Sequence, residues 1–343
     1  MTRTWVELSG ENLPLAEAEL AAVCASTRGT APVPVPAGAG RYREVAWGTV
    51  DPAREAARRL ALAHRVLEVV GGPGLEAIDM SLASGPERPC LAARFDWIEP
   101  PAQADRLLHE VVDRFQSVGG TLELDHPAHR FLLVGSNSNE LLLLRELSSI
   151  DRNQYEQRRM PRLPFQRPVS LPPRLARAAA NLAGAGPGCR IADPFVGTGA
   201  LLLEAGLLGA RLFGVDRDPT MVRGTLQNLT AHQVSADALT VEDAAAGADA
   251  VPWPGVDAIL TDPPYGRASS SGGEDPVGLI RRVLPRWAER VVPGGRIVLI
   301  GPGGDDPLGD PWKRVLAIPD RVHRSLTREF RVYRRADELS TPS

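Results

Sequence analysis

The sequence predicts an α/β protein: a doubly wound, mostly parallel sheet in the C-terminal half, preceded by a smaller α+β region. Three observations predict it. From Arg190 onward, short apolar strands mostly alternate with helical stretches; glycines fall between a strand and a helix at Gly197 and Gly199; and successive strands of that half end in aspartates. At 343 residues the chain has room for two domains, each large enough to bury a core.

Taken in order, Thr4–Ser9 reads as a strand, Leu15–Ser26 as an Ala- and Glu-rich amphipathic helix, and Tyr42–Val50 as a second strand. Between helix and strand, Pro32 to Gly40 has the Pro/Gly composition of a mobile loop. Asp51-Pro52 places an N-cap before a Pro at the first helical position, opening a helix to about Ala63. From Cys90 the pattern is a strand, a helix over Ala102–Val118, and strands at Thr121–Asp125, His129–Val134 and Glu140–Leu147. Ser170 caps a helix ending at Leu182. Beyond it, strands are expected at Arg190–Phe195, Arg211–Asp216, Leu239–Asp243, Val256–Asp262 and Arg296–Pro302, with helices at Ala200–Leu208, Pro219–His232 and Pro276–Val292. The expected organisation is an α+β region over 1–150, a basic linker over 151–170, the sheet-forming domain over 171–337 and a disordered tail over 338–343.

Charge is nearly balanced, with 39 basic and 42 acidic residues, yet unevenly distributed. Met1–Ile150 carries a net −6, whereas Asp151–Arg177 holds seven Arg and two acids, a net +5 that a polyanion would meet first. Arg158, Arg159, Arg162 and Arg174 belong to that run, which reads either as a solvated linker or as a contact for RNA phosphate. The three cysteines, Cys24, Cys90 and Cys189, are far apart and lack zinc spacing, and the six histidines show no metal pattern. No metal is expected. The start has no signal-peptide character, and the longest apolar stretch is broken by Glu204 and Arg211, so a soluble cytoplasmic protein without membrane partners is expected.

The chemistry centres on two stretches. In Asp193-Pro-Phe-Val-Gly-Thr-Gly199 the glycines allow backbone to approach a ligand with no Cβ in the way. Asp216 ends the next strand 17 residues after Gly199, where a ribose-binding carboxylate belongs in a dinucleotide-type fold. Asp193 would repel a pyrophosphate and suits a cationic or hydroxyl-bearing ligand, which points to S-adenosylmethionine. Asp243 ends a third strand and Asp262 a fourth, in Thr261-Asp-Pro-Pro-Tyr-Gly-Arg267. Aspartate is common after strands, but four such tips on one sheet edge are harder to ascribe to turn propensity.

Asp-Pro-Phe-Val-Gly-Thr-Gly followed by Asp-Pro-Pro-Tyr-Gly resembles the class I S-adenosylmethionine-dependent methyltransferases that modify amines. More narrowly, the chain resembles the THUMP-domain tRNA guanine-N2-methyltransferases of the guanosine-10 group. That match rests on Val6–Leu13, Tyr155–Arg159, Pro172–Leu182, Met221–Gly224 and His323–Arg328. It implies a Rossmann-like methyltransferase domain preceded by a ferredoxin-like part and a THUMP-like part over about 75–150, with tRNA as partner. It further implies that Asp193, Phe195, Gly197 and Gly199 line the methionine portion of the cofactor, that Asp216 binds its ribose hydroxyls and that Asp243 binds its adenine. The implied catalytic residues are Asp262, Pro263 and Tyr265. The Asp262 carboxylate and Pro263 carbonyl would accept the two N–H bonds of an exocyclic amine and turn its lone pair toward the methyl donor, while Tyr265 would stack on the base. Val196 stands where the family usually has Cys. Methylation of a guanosine N2 in tRNA is thus the leading expectation. A small-molecule amine acceptor, or a non-catalytic RNA-binding protein with a vestigial pocket, are the competing ones.

Overall fold

The computed structural model describes residues 1–35, 40–72, 92–117, 119–135, 141–159, 162–167, 170–264, 275–324 and 326–337. Tyr265, Cys90 and the tail 338–343 lie outside the described residues. The chain divides into two compact units, one of Met1–Arg58 with Ala63–Ile150, the other of Arg59–Leu62 with Asp151–Ser343.

The first unit holds an eight-stranded sheet in the order β2-β3-β1-β4-β8-β7-β5-β6. Strands β1 (Thr2–Leu8), β2 (Val33–Pro34), β3 (Tyr42–Trp47) and β4 (Ala63–Gly71), with helices α1 (Leu13–Thr27) and α2 (Val50–Arg59), follow one another as βαββαβ. All pairs among these four strands are antiparallel, which is the ferredoxin-like arrangement. Helix α1 starts where Asn12 accepts the Leu15 N–H at 3.2 Å. Next come β5 (Ala92–Glu99), α3 (Ala104–Ser117), β6 (Thr121–Leu122), β7 (His129–Gly135) and β8 (Leu141–Ser149), with β5 parallel to both β6 and β7. Alternation along β7 and β8 feeds two cores: Phe131, Leu133 and Leu143 pack with Val111 and Phe115, whereas Leu132 and Leu144 pack with Trp5, Tyr42 and Leu67.

Two expectations change here. The helix expected to reach Ala63 ends at Arg59, because the β-branched run Val66, Val69, Val70 takes a strand that fills the gap between β1 and β8. Within the Pro/Gly-rich stretch, Val33–Pro34 pair with Glu44 and Arg43, the Pro being tolerable because β2 is an edge.

In the second unit, α4 (Asn153–Glu156) and α5 (Pro173–Leu182) lead into a seven-stranded sheet in the order β11-β10-β9-β12-β13-β15-β14. Its strands are β9 (Arg190–Asp193), β10 (Arg211–Asp216), β11 (Ala238–Val241), β12 (Val256–Thr261), β13 (Val291–Gly301), β14 (Trp312–His323) and β15 (Leu326–Arg335). Helices α6 (Ala200–Gly206), α7 (Pro219–Ala231) and α8 (Pro276–Ala288) connect them. The first five strands are parallel and β15 joins β13 antiparallel. This is a doubly wound sheet whose order reverses between β9 and β12, the switch point at which such sheets bind ligands. Ser170 is not the cap of α5: Pro172 occupies that position with no side-chain bond, and the Ser170 hydroxyl meets that of Thr198 instead.

Candidate functional site

The loop after β9 is held from three sides. Asp193 Oδ1 accepts from Phe195 N at 3.0 Å and from the Thr261 hydroxyl at 2.7 Å, joining the ends of β9 and β12. Val196 N donates to Val215 O, and Gly197 N to Asp216 Oδ2 at 3.0 Å, joining the loop to the end of β10. From α7, the Thr225 hydroxyl donates to Gly197 O at 2.8 Å and Asn228 Nδ2 to Thr198 O at 2.9 Å. Both glycines are required. Gly197 has φ +53° and Gly199 φ +80°, and a Cβ on Gly199 would lie 2.7 Å from Thr225 Cγ2. At Gly197 a Cβ would meet, among the described residues, only Phe195 O at 3.9 Å, so none of them closes the loop on that side.

A further residue braces the loop from outside the sheet. Phe165 N and O bond to the two ends of the Asn228 amide, and its ring lies where a Cβ on Gly224 would stand, 2.1 Å from Phe165 Cδ1. Thr225 and Asn228 are buried polar residues i, i+3 on the buried stripe of α7, beside Leu229. That placement of polar groups among core positions is the signal that could have found them.

The acids converge. Asp193, 1 % exposed, has its carboxyl pushed up to about 7, chiefly by burial; the neighbouring Asp262 and Asp216 push it further, against the bonds from Thr261 and Phe195. Asp216 is raised as well, by burial first, against the backbone bonds from Asp218 and Gly197. Carboxylates at the tips of β9, β10 and β12 therefore share one neighbourhood at the switch point. Asp262 is half-buried and Pro263 is buried immediately after β12. Asp243 stands apart: exposed, two residues beyond β11, it accepts from Ala245 N at 2.8 Å on the same edge of the sheet. A buried carboxyl with two half-buried carboxylates beside it, next to the glycine loop, favours a cation, and such a ligand would lower the energy of keeping Asp193 ionised. The residues present thus fit the sulfonium and ammonium of S-adenosylmethionine.

The basic run divides. Arg158 is buried and gives Nε to Glu204 Oε1 at 2.6 Å, while Arg177 gives Nε to Oε2 of the same carboxylate at 2.8 Å; Glu204 is 1 % exposed. Arg158 is therefore an internal cation with no face for phosphate, contrary to its expected role. Arg174 is half-buried and donates to Ala61 O at 3.1 Å. Arg159, paired with Glu156 at 3.0 Å, and Arg162 are exposed. Among the described residues no group of His, Cys, Asp or Glu is arranged to hold a metal, and no helix is long and apolar enough to cross a membrane.

Comparison with known proteins bears on this geometry. The family described as UPF0020, an RMKL-like methyltransferase domain, matches residues 161–308. A tRNA (guanine(10)-N2)-dimethyltransferase of Methanothermobacter thermautotrophicus is 33% identical over 297 residues, covering 81% of this chain and 84% of that protein. One from Pyrococcus abyssi is 38% identical over 181 residues, covering 52% of this chain and 54% of the relative. The crystal structure of TrmN from Thermus thermophilus superposes with a TM-score of 0.54 at 19% identity, over 97% of this chain and 99% of the other, which supports the fold. With its doubly wound sheet, its glycine loop and a relative matched over most of both lengths, the chain belongs to the tRNA (guanine-N2)-methyltransferase family.

Proposed function

We propose that the protein transfers a methyl group from S-adenosylmethionine to the exocyclic N2 amine of a guanosine in tRNA, at position 10 as in its named relatives. The observation that carries this reading is the meeting of Asp193, Asp216 and Asp262 around the glycine loop at the switch point of the sheet. The cofactor supplies a methyl group made electrophilic by the sulfonium it sits on. Everything else falls to the chain. Asp193, Phe195, Gly197 and Gly199 hold the methionine portion, Asp216 accepts from the ribose hydroxyls and Asp243 from the adenine.

The guanine amine is a poor nucleophile because its lone pair is delocalised into the ring. Asp262 and the Pro263 carbonyl accept its two N–H bonds, which biases the nitrogen toward a tetrahedral, lone-pair-forward shape. The Pro263-Pro264 pair fixes two φ angles, so these acceptors are in place before the base arrives. Tyr265 stacks on the base, which leaves its helix to enter the site. Arg159 and Arg162 contact RNA phosphate, and the strands β5 to β8 with α3 form the THUMP-like part within the N-terminal region.

The test is incubation of the protein with methyl-labelled S-adenosylmethionine and unmodified tRNA, followed by digestion to nucleosides. Label in N2-methylguanosine or N2,N2-dimethylguanosine is expected, and is lost in Asp262→Ala even at cofactor concentrations that saturate the variant. Good cofactor binding with no label in any nucleoside would move a small-molecule amine into the acceptor's place.

A further inference from the structure

The C-terminal hairpin is more basic than the linker. Between Trp312 and Arg335 stand eight basic and two acidic residues, a net of +6 in a chain whose total is −3, while residues 178–311 of the same unit carry −6. Four of the eight are engaged within the fold. Arg328 pairs with Asp320 at 2.8 Å, Arg314 with Asp306 at 3.0 Å, Arg331 donates to Pro302 O at 2.8 Å, and Arg335 donates to Val291 O. The other four, Lys313, Arg321, Arg324 and Arg334, are exposed. Lys313, Arg321 and Arg324 form no ion pair with a described residue, and Arg334 reaches Asp337 at 3.7 Å. Lys313 and Arg334 are also register partners, so like charges stand directly opposite each other, which costs stability until an anion joins them.

The hairpin is placed to meet a substrate. Strand β15 runs out of partners on β13 at Glu329↔Gly301, yet its pairing with β14 continues to His323↔Leu326. Its tip, with Arg321 and Arg324, therefore overhangs the carboxyl edge of the sheet. That is the edge on which β12 ends at Thr261, in register with Leu299 of β13. Strand β14 is three places from β12, about 14 Å at the usual strand spacing, or roughly four base-pair steps along a duplex.

The character of the surface selects a polyanion over a protein. Strand β14 exposes residues on both faces, with Ile318 its one buried side chain. Its exposed apolar residues, Val315 and Val322, are separated rather than gathered in a patch. Pro319 interrupts the free edge that an added strand would need.

We propose that this hairpin is an RNA-contacting surface: Arg321 and Arg324 at its tip bind backbone phosphates flanking the nucleotide presented to Asp262, and Lys313 and Arg334, roughly 26 Å back along the strands toward the start of β12, bind phosphates farther from it. The proposal rests on the tRNA reading above. It is tested by measuring the affinity for unmodified tRNA as a function of salt, for the wild type, for Arg321→Ala with Arg324→Ala, and for Lys313→Ala with Arg334→Ala. Each double variant should flatten the slope of log affinity against log salt by about 1.4–1.8, at roughly 0.7–0.9 per phosphate contact. KM for tRNA should rise, while kcat at saturating tRNA and cofactor affinity hold and the melting temperature does not fall. A wild type that binds and methylates tRNA with a salt slope that neither double variant changes would overturn the hairpin proposal alone. A wild type with no salt-dependent tRNA binding would overturn both readings.

Discussion

Replacing Asp193 by Asn separates what the acid does to the fold from what it does for a ligand. The two side chains have the same shape, and an Asn Oδ1 still accepts from Phe195 N and the Thr261 hydroxyl. The charge is what disappears. In the folded protein the carboxyl is pushed from 3.8 up to about 7 by burial and then by Asp262 and Asp216. A folded pKa above the unfolded one means that the native state holds the proton more tightly. The associated stability is present below pH 4 and is lost as pH rises through about 7. At pH 8 the ionised acid costs on the order of 4 kcal/mol, because each pH unit between the unfolded and folded values is worth about 1.36 kcal/mol. Asp193→Asn should therefore melt higher than wild type at pH 8 without ligand, by roughly 10 °C at about 2–4 °C per kcal/mol. The gap should close toward pH 4. S-adenosylmethionine should bind the variant at least about tenfold more weakly, since a cation loses a buried counter-charge. Thermal melts from pH 4 to 8, with and without ligand, read both effects. A variant that melts at or below wild type at pH 8, or that keeps full affinity, would refute the reasoning.

Other substitutions probe the supports of the site. Gly199→Ala places a Cβ at 2.7 Å from Thr225 Cγ2 in a backbone with φ +80°; a loss of about 1–3 kcal/mol by denaturant melt, together with loss of cofactor binding by calorimetry, is expected. Glu204→Ala leaves Arg158 and Arg177 buried without their carboxylate and should cost about 3–5 kcal/mol, whereas Arg159→Ala should stay within about 0.5 kcal/mol in the same melt. Burial pushes the Cys24 thiol up to about 12, so it should resist alkylation at pH 8 until the protein is unfolded, as read by mass spectrometry.

The C-terminal sheet was legible because its signals are local. β9 and β10 are short apolar runs ended by an acid, β12 is one followed at once by Asp262, and Gly197 and Gly199 sit between strand and helix. What sequence could not supply was contact at a distance. The lock that Phe165, Thr225 and Asn228 form on the glycine loop joins residues up to 63 positions apart, with only their polarity on a buried helix face to betray two of them. Arg158 read as surface because it lies in an Arg run; its partner Glu204 is 46 residues away on α6. Strand β4 was hidden by the helix signal before it, and the β14–β15 hairpin by charge and by Pro319, which depress strand patterning where an edge strand tolerates them.

A crystal structure of the protein with sinefungin, in which an amine replaces the methylated sulfonium, tests the convergence of the three acids most directly. The expected result is the ligand against Gly197, its ribose on Asp216 and its amine beside Asp193 and Asp262. A ligand bound away from the β9–β12 switch point, or with its amine turned from those carboxylates, would contradict the assignment.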